Sequence, residues 1–453
     1  MKPLKLSEVA KAVGGELNNQ HMLDELIYGV SFDTREDLEG KLFVPLKGAN
    51  VDGHNFIDKA IQIGALCVFS EQKTSQPAIY VDNTKQALMD LAEYYRSLFK
   101  DVKIVGITGS NGKTSCKDMV AGVLSQKYNV VKTLGNFNNE IGLPASIFNI
   151  DDTTEVAVLE MGMNNRWEIH RLSKIARPNV AIITNIGVAH IENLGSREEI
   201  FKAKSEIMDF LAEDGHVFAC GDDKFLIQLA ERGDVTFYGL NPISCNFVPC
   251  ALKDEGLNGT TYTITLKNVN KTEIFVPSPG IHMVLNSLAA VAVGDYLGLN
   301  GEEISKGIAA YQASGMRMDV RHLPCGGKLI VDCYNANPDS MKAALQVLSS
   351  AGKGRKIAIL GDMFELGEHS VAMHHDVGVF AAKLGIDMIK CIGEDALSIF
   401  NGADEGGARL VSHFTSKDSF LQSFNGLQAG DMVLIKASRS MRFEEIADKL
   451  ERI

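Results

Sequence analysis

The stretch "IVGITGSNGKTSCKDM" (104–119) constrains this chain more than any other. An apolar run of the buried-strand type enters a turn holding Gly109 and Gly112, and a helical pattern follows. Glycine lets the backbone turn sharply there and brings N–H groups close to an anion. The following helix offers its N-terminus to negative charge. The stretch therefore reads as a phosphate-binding loop, yet it departs from G-x-x-x-x-G-K-S/T. Counting back from Gly112, the first glycine falls at 107, and that residue is Ile107. Lys113 can reach terminal phosphates, and Thr114 can give its hydroxyl oxygen to Mg²⁺. The alternative, a tight turn with a solvated lysine, is disfavoured by the placement between strand and helix.

The surrounding pattern extends this unit. Between 102 and 314, "KIVGITG", "EVAVLEMG", "NVAIITNIG" and "HVFACGD" alternate with helical segments, which predicts a parallel sheet with helices on both faces. Residues 245–276 break the rhythm, and "YTITLKNVNKTEIFVP" predicts a peripheral β-hairpin. From 315 onward, "KLIVDCYNANPDS", "KIAILGDM", "MIKCIGE" and "DMVLIKAS" restart the alternation as a smaller doubly wound unit. The first 99 residues mix short strands and helices. At 453 residues the chain is long for one core. The fold expected is α/β in three domains: a small N-terminal α/β domain (1–99), a central P-loop-type, mostly parallel sheet (100–314), and a C-terminal Rossmann-like domain (315–453).

Composition narrows the function. A net charge of −12 argues against a general nucleic-acid binder. The eight cysteines are scattered without a C-x-x-C pair, which argues against a zinc ribbon or disulfide scaffold and suits a reducing cytoplasm. "MKPLKLSEVAKAVGG" lacks the apolar core of a signal peptide, and no apolar run is long enough to span a membrane. The expectation is a cytoplasmic monomer with neither nucleic-acid nor membrane partner.

"TGSNGKTS" resembles the ATP loop of the Mur ligase family, the ATP-dependent amide ligases of bacterial cell-wall synthesis, in which the first glycine of the usual loop is replaced. The resemblance assigns ATP to Gly109, Ser110, Asn111, Gly112, Lys113, Thr114 and Ser115. Further stretches resemble the family in order along essentially the whole chain. "SFDTR" (31–35), with "GKLFVPLKGANVDGHNFI", resembles its uridine-nucleotide-binding domain and implies substrate contacts from Ser31, Asp33, Thr34 and Arg35. "TLGNFNNEIGLPAS" (133–146) resembles the loop that closes over substrate and phosphates, with Asn136, Asn138 and Asn139. "LEMGMNNRWEI" (159–169) puts Glu160 at a strand end, where a carboxylate can hold Mg²⁺. "TNIGVAHIENLGS" (184–196) ends another strand with His190. "FKAKSEI" (201–207) matches the segment of the family's carbamylated lysine, at Lys204. "GIHMVLNSLAA" (280–290) resembles the adenine-binding helix, with Asn286. "SGMRMDV" supplies Arg317, and "LGDMFELG" supplies Asp362, both toward the ribose and adenine side of ATP. "DCYNANPDS" and "KASRSM" imply amine-substrate contacts from Tyr334, Asn335, Asn337, Ser340 and Arg439.

Each of these has an ordinary reading as well. Glu160 could be a surface acid, although the carboxyl end of a parallel strand favours function. His190 could be a packed or surface histidine, and Lys204 on a helix would normally be solvated. Asn335 and Asn337 flank a proline turn, and Arg439 could be a helix-end surface arginine. Three residues depart from the family pattern: Trp167 where glycine is common, Met283 for an asparagine, and Ala437 for the glycine of K-G-S-R.

The resemblance implies an enzyme using ATP and two Mg²⁺ ions, one on Thr114 and Glu160, the other on His190 and carbamylated Lys204. "YNANPDS" points to the member that joins D-alanyl-D-alanine to UDP-N-acetylmuramoyl-tripeptide through an acyl phosphate, with Lys113, Glu160, His190 and Lys204 as catalytic residues. The rivals are the member adding the third peptide residue, a folylpolyglutamate synthase, and a switch that hydrolyses ATP without ligating anything.

Overall fold

The computed structural model describes residues 1–48, 51–267, 269–313, 315–424 and 426–452. Residues 49–50 of the uridine-type stretch, Asn268 of the hairpin stretch and Ser314 at the expected domain boundary lie outside these.

Among the N-terminal strands are β1 (Glu16–Leu17), β2 (Val30–Ser31), β3 (Leu42–Phe43), β4 (Cys67–Ser70) and β5 (Ala78–Tyr80). They form a sheet in the order β1-β5-β4-β3-β2, in which only β1 is antiparallel to its neighbour. Phe43, Val68 and Ala78 from this sheet pack on Leu38, Ile57 and Ala60 as one apolar cluster. Helix α1 (Thr84–Ser97) follows, started by the Asn83 side chain, which accepts from Gln86 N–H.

The central strands are β6 (Lys103–Thr108), β7 (Val130–Lys132), β8 (Val156–Glu160), β9 (Val180–Ile183), β10 (His216–Cys220) and β11 (Val235–Tyr238). Their order is β11-β10-β9-β6-β8-β7, and β8 runs parallel to both β6 and β7. All five residues of β8 are buried, as a strand covered on both faces requires. Helices α2 (Lys113–Leu124), α3 (Glu168–Ala176), α4 (Arg197–Ser205) and α5 (Ile281–Tyr296) punctuate this part. The expected hairpin is present as an antiparallel sheet, with an additional strand: β12 (Cys250–Asp254), β13 (Thr260–Leu266) and β14 (Val269–Val276).

The C-terminal part holds β15 (Asp319–His322), β16 (Lys328–Val331), β17 (Lys356–Gly361), β18 (Met388–Ile392), β19 (Val411–Phe414) and β20 (Met432–Lys436), in the order β15-β16-β20-β17-β18-β19. Only β15 is antiparallel. Helices α6 (Pro338–Ser350), α7 (Ser370–Lys383) and α8 (Ala396–Glu405) connect the strands. The expected Rossmann-like alternation is thus realised.

By Cα packing the described chain divides into two compact units, 1–108 with 127–182 and 203–217, and 109–126 with 183–202 and 218–453. Within the first, Arg96 of α1 ties the N-terminal part to the central helices. The arginine is buried, and burial pushes its guanidinium down to about 10. Its N–H groups donate to Ala176 O (3.1 Å), Phe99 O (2.5 Å) and Val102 O (3.2 Å). Ala176 O is a carbonyl at the C-terminus of α3, where a cation is favoured. The Tyr95 hydroxyl adds a second tie, donating to Ile150 O at 2.6 Å. Arg96→Met should therefore strand buried carbonyls, at about 1–3 kcal/mol for each left unsatisfied. A lower denaturant midpoint for this variant is expected, and a wild-type midpoint would show that the arginine is dispensable.

Candidate active site

The phosphate loop runs from the end of β6 to the start of α2. Gly109 has φ +146° and Gly112 has φ +81°. A Cβ at 109 would fall on Thr184 Oγ1, and one at 112 would lie 2.6 Å from Asn286 Oδ1. Side chains therefore close on the loop at both glycines, and no larger residue fits. The segment after β9 clamps it further. Ser110 N–H donates to Asn185 O (2.9 Å) and Asn111 N–H to Asn185 Oδ1 (3.0 Å). Thr184 Oγ1 donates to Asn111 O (2.6 Å), and Gly187 N–H to Ser110 Oγ (2.8 Å). The N–H groups of Ser110 and Asn111 are thus engaged within the protein, so these residues set the loop's course. Lys113 Nζ lies along the loop, donating to Gly109 O at 2.8 Å. Thr114 and Ser115 are buried in the first turn of the 12-residue helix α2. Asn286 is buried on α5, and Met283, one of the departures, meets its Nδ2 through sulfur at 3.8 Å.

In the first unit, Glu160 ends β8 opposite Ile107 of β6. It is 1% exposed, so the surface-acid reading fails. Its N–H donates to Thr133 Oγ1 (3.0 Å), and its Oε1 accepts from Asn138 Nδ2 (2.7 Å). Asn138 is itself fixed, since Gly162 N–H donates to Asn138 O at 2.7 Å. Asn139 accepts from Ile141 and Gly142 N–H groups, shaping the same loop, while Asn136 is exposed. Lys204 is also 1% exposed, so the ordinary reading of a solvated lysine fails. Two residues on, Glu206 accepts from Trp167 N–H (2.9 Å) and His170 N–H (3.2 Å) and from Arg166 Nε (2.9 Å). That carboxylate caps α3. Trp167 adopts φ +71°, so the turn keeps a glycine-like backbone although it carries an indole.

His190 is not at a strand end. Strand β9 stops at Ile183, and His190 begins the short helical turn Ile191–Leu194 with φ +64°. Its Nδ1 lies 2.7 Å from Glu365 Oε2. Beside that imidazole the Glu365 carboxyl is held below its usual range. Nothing in the sequence marked Glu365, because the two residues meet only through the fold. The same holds for Thr184 and Asn185, whose one local signal is a polar "TN" closing an apolar strand.

In the C-terminal part, Asn337 starts α6. Its Oδ1 accepts from Ser340 N–H (2.9 Å), and its Nδ2 donates to Asn111 Oδ1 of the phosphate loop (2.7 Å). The turn reading therefore holds, and the same side chain also contacts the phosphate loop. Asn335 O accepts from the buried Lys436 Nζ (3.0 Å), which is paired with Asp332 at 2.6 Å. The Arg317 guanidinium stacks over the Tyr334 ring at 3.6 Å. Asp362 turns inward, accepting from Ala396 N–H at the start of α8 (2.7 Å), and burial raises its carboxyl pKa. Its visible partner is thus a helix end. Arg439 is half-exposed and paired with Glu444 (2.6 Å). In the N-terminal turn, Ser31 Oγ donates to Glu36 (2.8 Å), and Arg35 holds the Asp33 carboxyl down to about 2. Thr34 lies half-buried between them.

Among the described residues, no group of three His, Cys, Asp or Glu side chains is arranged to hold a metal ion. The Thr114 hydroxyl and the Glu160 carboxylate are nonetheless oxygen donors of the kind a hard cation takes. Each by itself is a donor of the type that Mg²⁺ accepts. No helix among the described residues is long and apolar enough to cross a membrane.

Comparison with known proteins agrees with this arrangement. Three family models match in sequence: the Mur ligase family, catalytic domain, at 26–98; the Mur ligase middle domain at 107–294; and the Mur ligase, glutamate ligase domain, at 316–439. The UDP-N-acetylmuramoyl-tripeptide–D-alanyl-D-alanine ligase of Bacillus subtilis is 40% identical, over 98% of each chain. The crystal structure of MurF from Acinetobacter baumannii superposes with a TM-score of 0.91 at 29% identity, covering 100% of both chains. MurF of Thermotoga maritima in complex with ADP gives 0.82 at 29% identity, over 93% of this chain and 97% of that one. On this evidence the chain belongs to the Mur ligase family.

Proposed function

We propose that this chain is the ATP-dependent ligase that joins D-alanyl-D-alanine to UDP-N-acetylmuramoyl-tripeptide in peptidoglycan precursor synthesis, releasing ADP and phosphate. One observation carries the reading beyond family membership. Asn337, in the "YNANPDS" segment that resembles the amine-binding part, bonds directly to Asn111 of the phosphate loop. A ligase that must bring an amine to a freshly phosphorylated carboxyl needs such a link.

Forming a peptide bond requires an activated carboxyl. The terminal carboxylate oxygen of the UDP-linked tripeptide attacks the γ-phosphorus of ATP, and ADP leaves. The amine of D-alanyl-D-alanine then attacks the acyl carbon of the resulting acyl phosphate, and phosphate departs from the tetrahedral intermediate. Lys113 offsets charge on the transferring phosphoryl group, and the backbone around Gly112 lets it approach closely. Thr114 and Glu160 would hold one Mg²⁺, and His190 with carbamylated Lys204 a second. The chemistry such ions would supply is positive charge beside the phosphate oxygens and the carboxylate. Ser31, Asp33, Thr34 and Arg35 would serve the UDP-sugar part within 1–99, Asn286, Arg317 and Asp362 the nucleoside of ATP, and Tyr334, Asn335, Ser340 and Arg439 the dipeptide. The proposed domains, 1–99, 100–314 and 315–453, follow this division of ligands. The proposed setting is the cytoplasm, as a monomer.

The test is phosphate release from ATP and Mg²⁺, with the UDP-tripeptide and D-alanyl-D-alanine supplied singly and together. Release only with both, and a UDP-pentapeptide by mass spectrometry, is expected. Turnover with a free amino acid and the UDP-dipeptide would move the enzyme one step earlier, and acceptor-independent turnover would favour the switch. Lys113→Ala should abolish phosphoryl transfer while leaving UDP-tripeptide binding intact; unchanged turnover would sink the loop assignment. Lys204→Ala should lose activity that a short-chain carboxylate partly restores, whereas full activity without additive would remove the carbamate.

A further inference from the structure

Resting on the reading above, in which His190 holds a metal ion, we propose that Glu365 is a positioning residue for His190: its carboxylate faces Nδ1, favours the proton there, and leaves Nε2 to the metal. The contact is short, 2.7 Å from Nδ1 to Oε2. Nδ1 is buried and makes no hydrogen bond of good geometry, so what the structure shows is the close approach of the carboxylate to that nitrogen. The carboxylate's field still favours the tautomer with N–H at Nδ1. A histidine that ligates a metal through one ring nitrogen commonly presents the other to a carboxylate, which fixes tautomer and ring orientation.

Two further observations single out this pair. His190 and Glu365 both have φ +64°, the left-handed region that non-glycine residues seldom occupy. Strain of this kind persists where surrounding structure enforces it, and it concentrates at functional sites. Here the enforcement is visible. Met363 N–H donates to Nε2 of the buried His374 (2.9 Å), and Phe364 N–H to Ser438 Oγ (3.0 Å). On the other side, Glu192 N–H reaches Glu365 O at 3.4 Å. The loop carrying Glu365 is therefore pinned by C-terminal elements and touches the turn carrying His190. Orientation of the histidine then depends on the "MFELG" segment being in place.

The test begins with the full chain without added Mg²⁺, labelled with ¹⁵N-histidine and assigned with a His190→Gln control. Above the ring's ordinary titration range, the His190 nitrogen shifts should report N–H at Nδ1. Glu365→Ala should move the ring toward the Nε2–H tautomer and lower kcat by about 10–100-fold, with KM for ATP and the UDP-tripeptide near wild type. Glu365→Gln, which keeps an acceptor, should recover part of both. An unchanged tautomer in Glu365→Ala overturns the proposal, whether activity is kept or lost, since a loss without a tautomer change would make Glu365 a direct ligand or a structural residue. Failure of the ligase reading itself would show separately, as absent acceptor-dependent turnover in the unsubstituted enzyme.

Discussion

A triphosphate can be held by backbone only where the chain comes closer to it than any side chain would allow. Positions 109 and 112 are glycine in a loop whose surroundings leave no room for a side chain. Thr184 and Asn286 occupy the space that a Cβ would need. The loop is consequently not a flexible bracelet. It is wedged between a strand-end segment on one side and a helix on the other, and the hydrogen bonds of Ser110 and Asn111 to Asn185 complete the wedge. The departure at Ile107 becomes intelligible in this setting. Position 107 is fully buried in β6, pairing with Glu160 of β8, so it belongs to the sheet and an apolar β-branched residue suits it.

The charges follow the same economy of space. Glu160 is an almost fully buried acid, which is costly unless its oxygens are satisfied. Asn138 satisfies one from the neighbouring loop, and the backbone of that loop is in turn anchored through Gly162. Glu206 performs a comparable service for α3, collecting two backbone N–H groups and an arginine where a side-chain cap is missing from Trp167. Glu206 holds its loop by accepting from several donors, and Glu160 by accepting from the Asn138 amide.

What the sequence revealed, and what it hid, divides along physical lines. The strand–loop–helix, the alternation of the central and C-terminal parts and the strand-end placement of Glu160 rest on local periodicity and turn chemistry, which a linear string preserves. The burial of Lys204 was invisible because helix α4 reads as charged, "REEIFKAKS", and a lysine there is solvated by default. His190 was misplaced by seven residues from the strand end because "TNIGVAH" continues with apolar residues after the last sheet pairing. Trp167 read as a disruption because glycine is the ordinary occupant of a left-handed position, yet the fold holds tryptophan there with a carboxylate. Thr184 and Asn185 carry only the faint mark of a polar "TN" after an apolar strand, and Glu365 has no local mark, since their contacts lie far along the chain.

Asn337 shows how one side chain can answer to two elements at once. A helix start needs only a side-chain oxygen, and aspartate or serine would supply it as well as asparagine. The partner at the other end decides the matter. Asn111 presents Oδ1, an acceptor, to Asn337 Nδ2. Aspartate at 337 would keep the cap and set oxygen against oxygen, while serine would keep it and fall short. Only the amide caps α6 and donates to the phosphate loop at once. The asparagine of "NPDS" therefore answers to the loop it touches as well as to the helix it starts, and through it α6 is tied to the loop of Gly109 and Gly112.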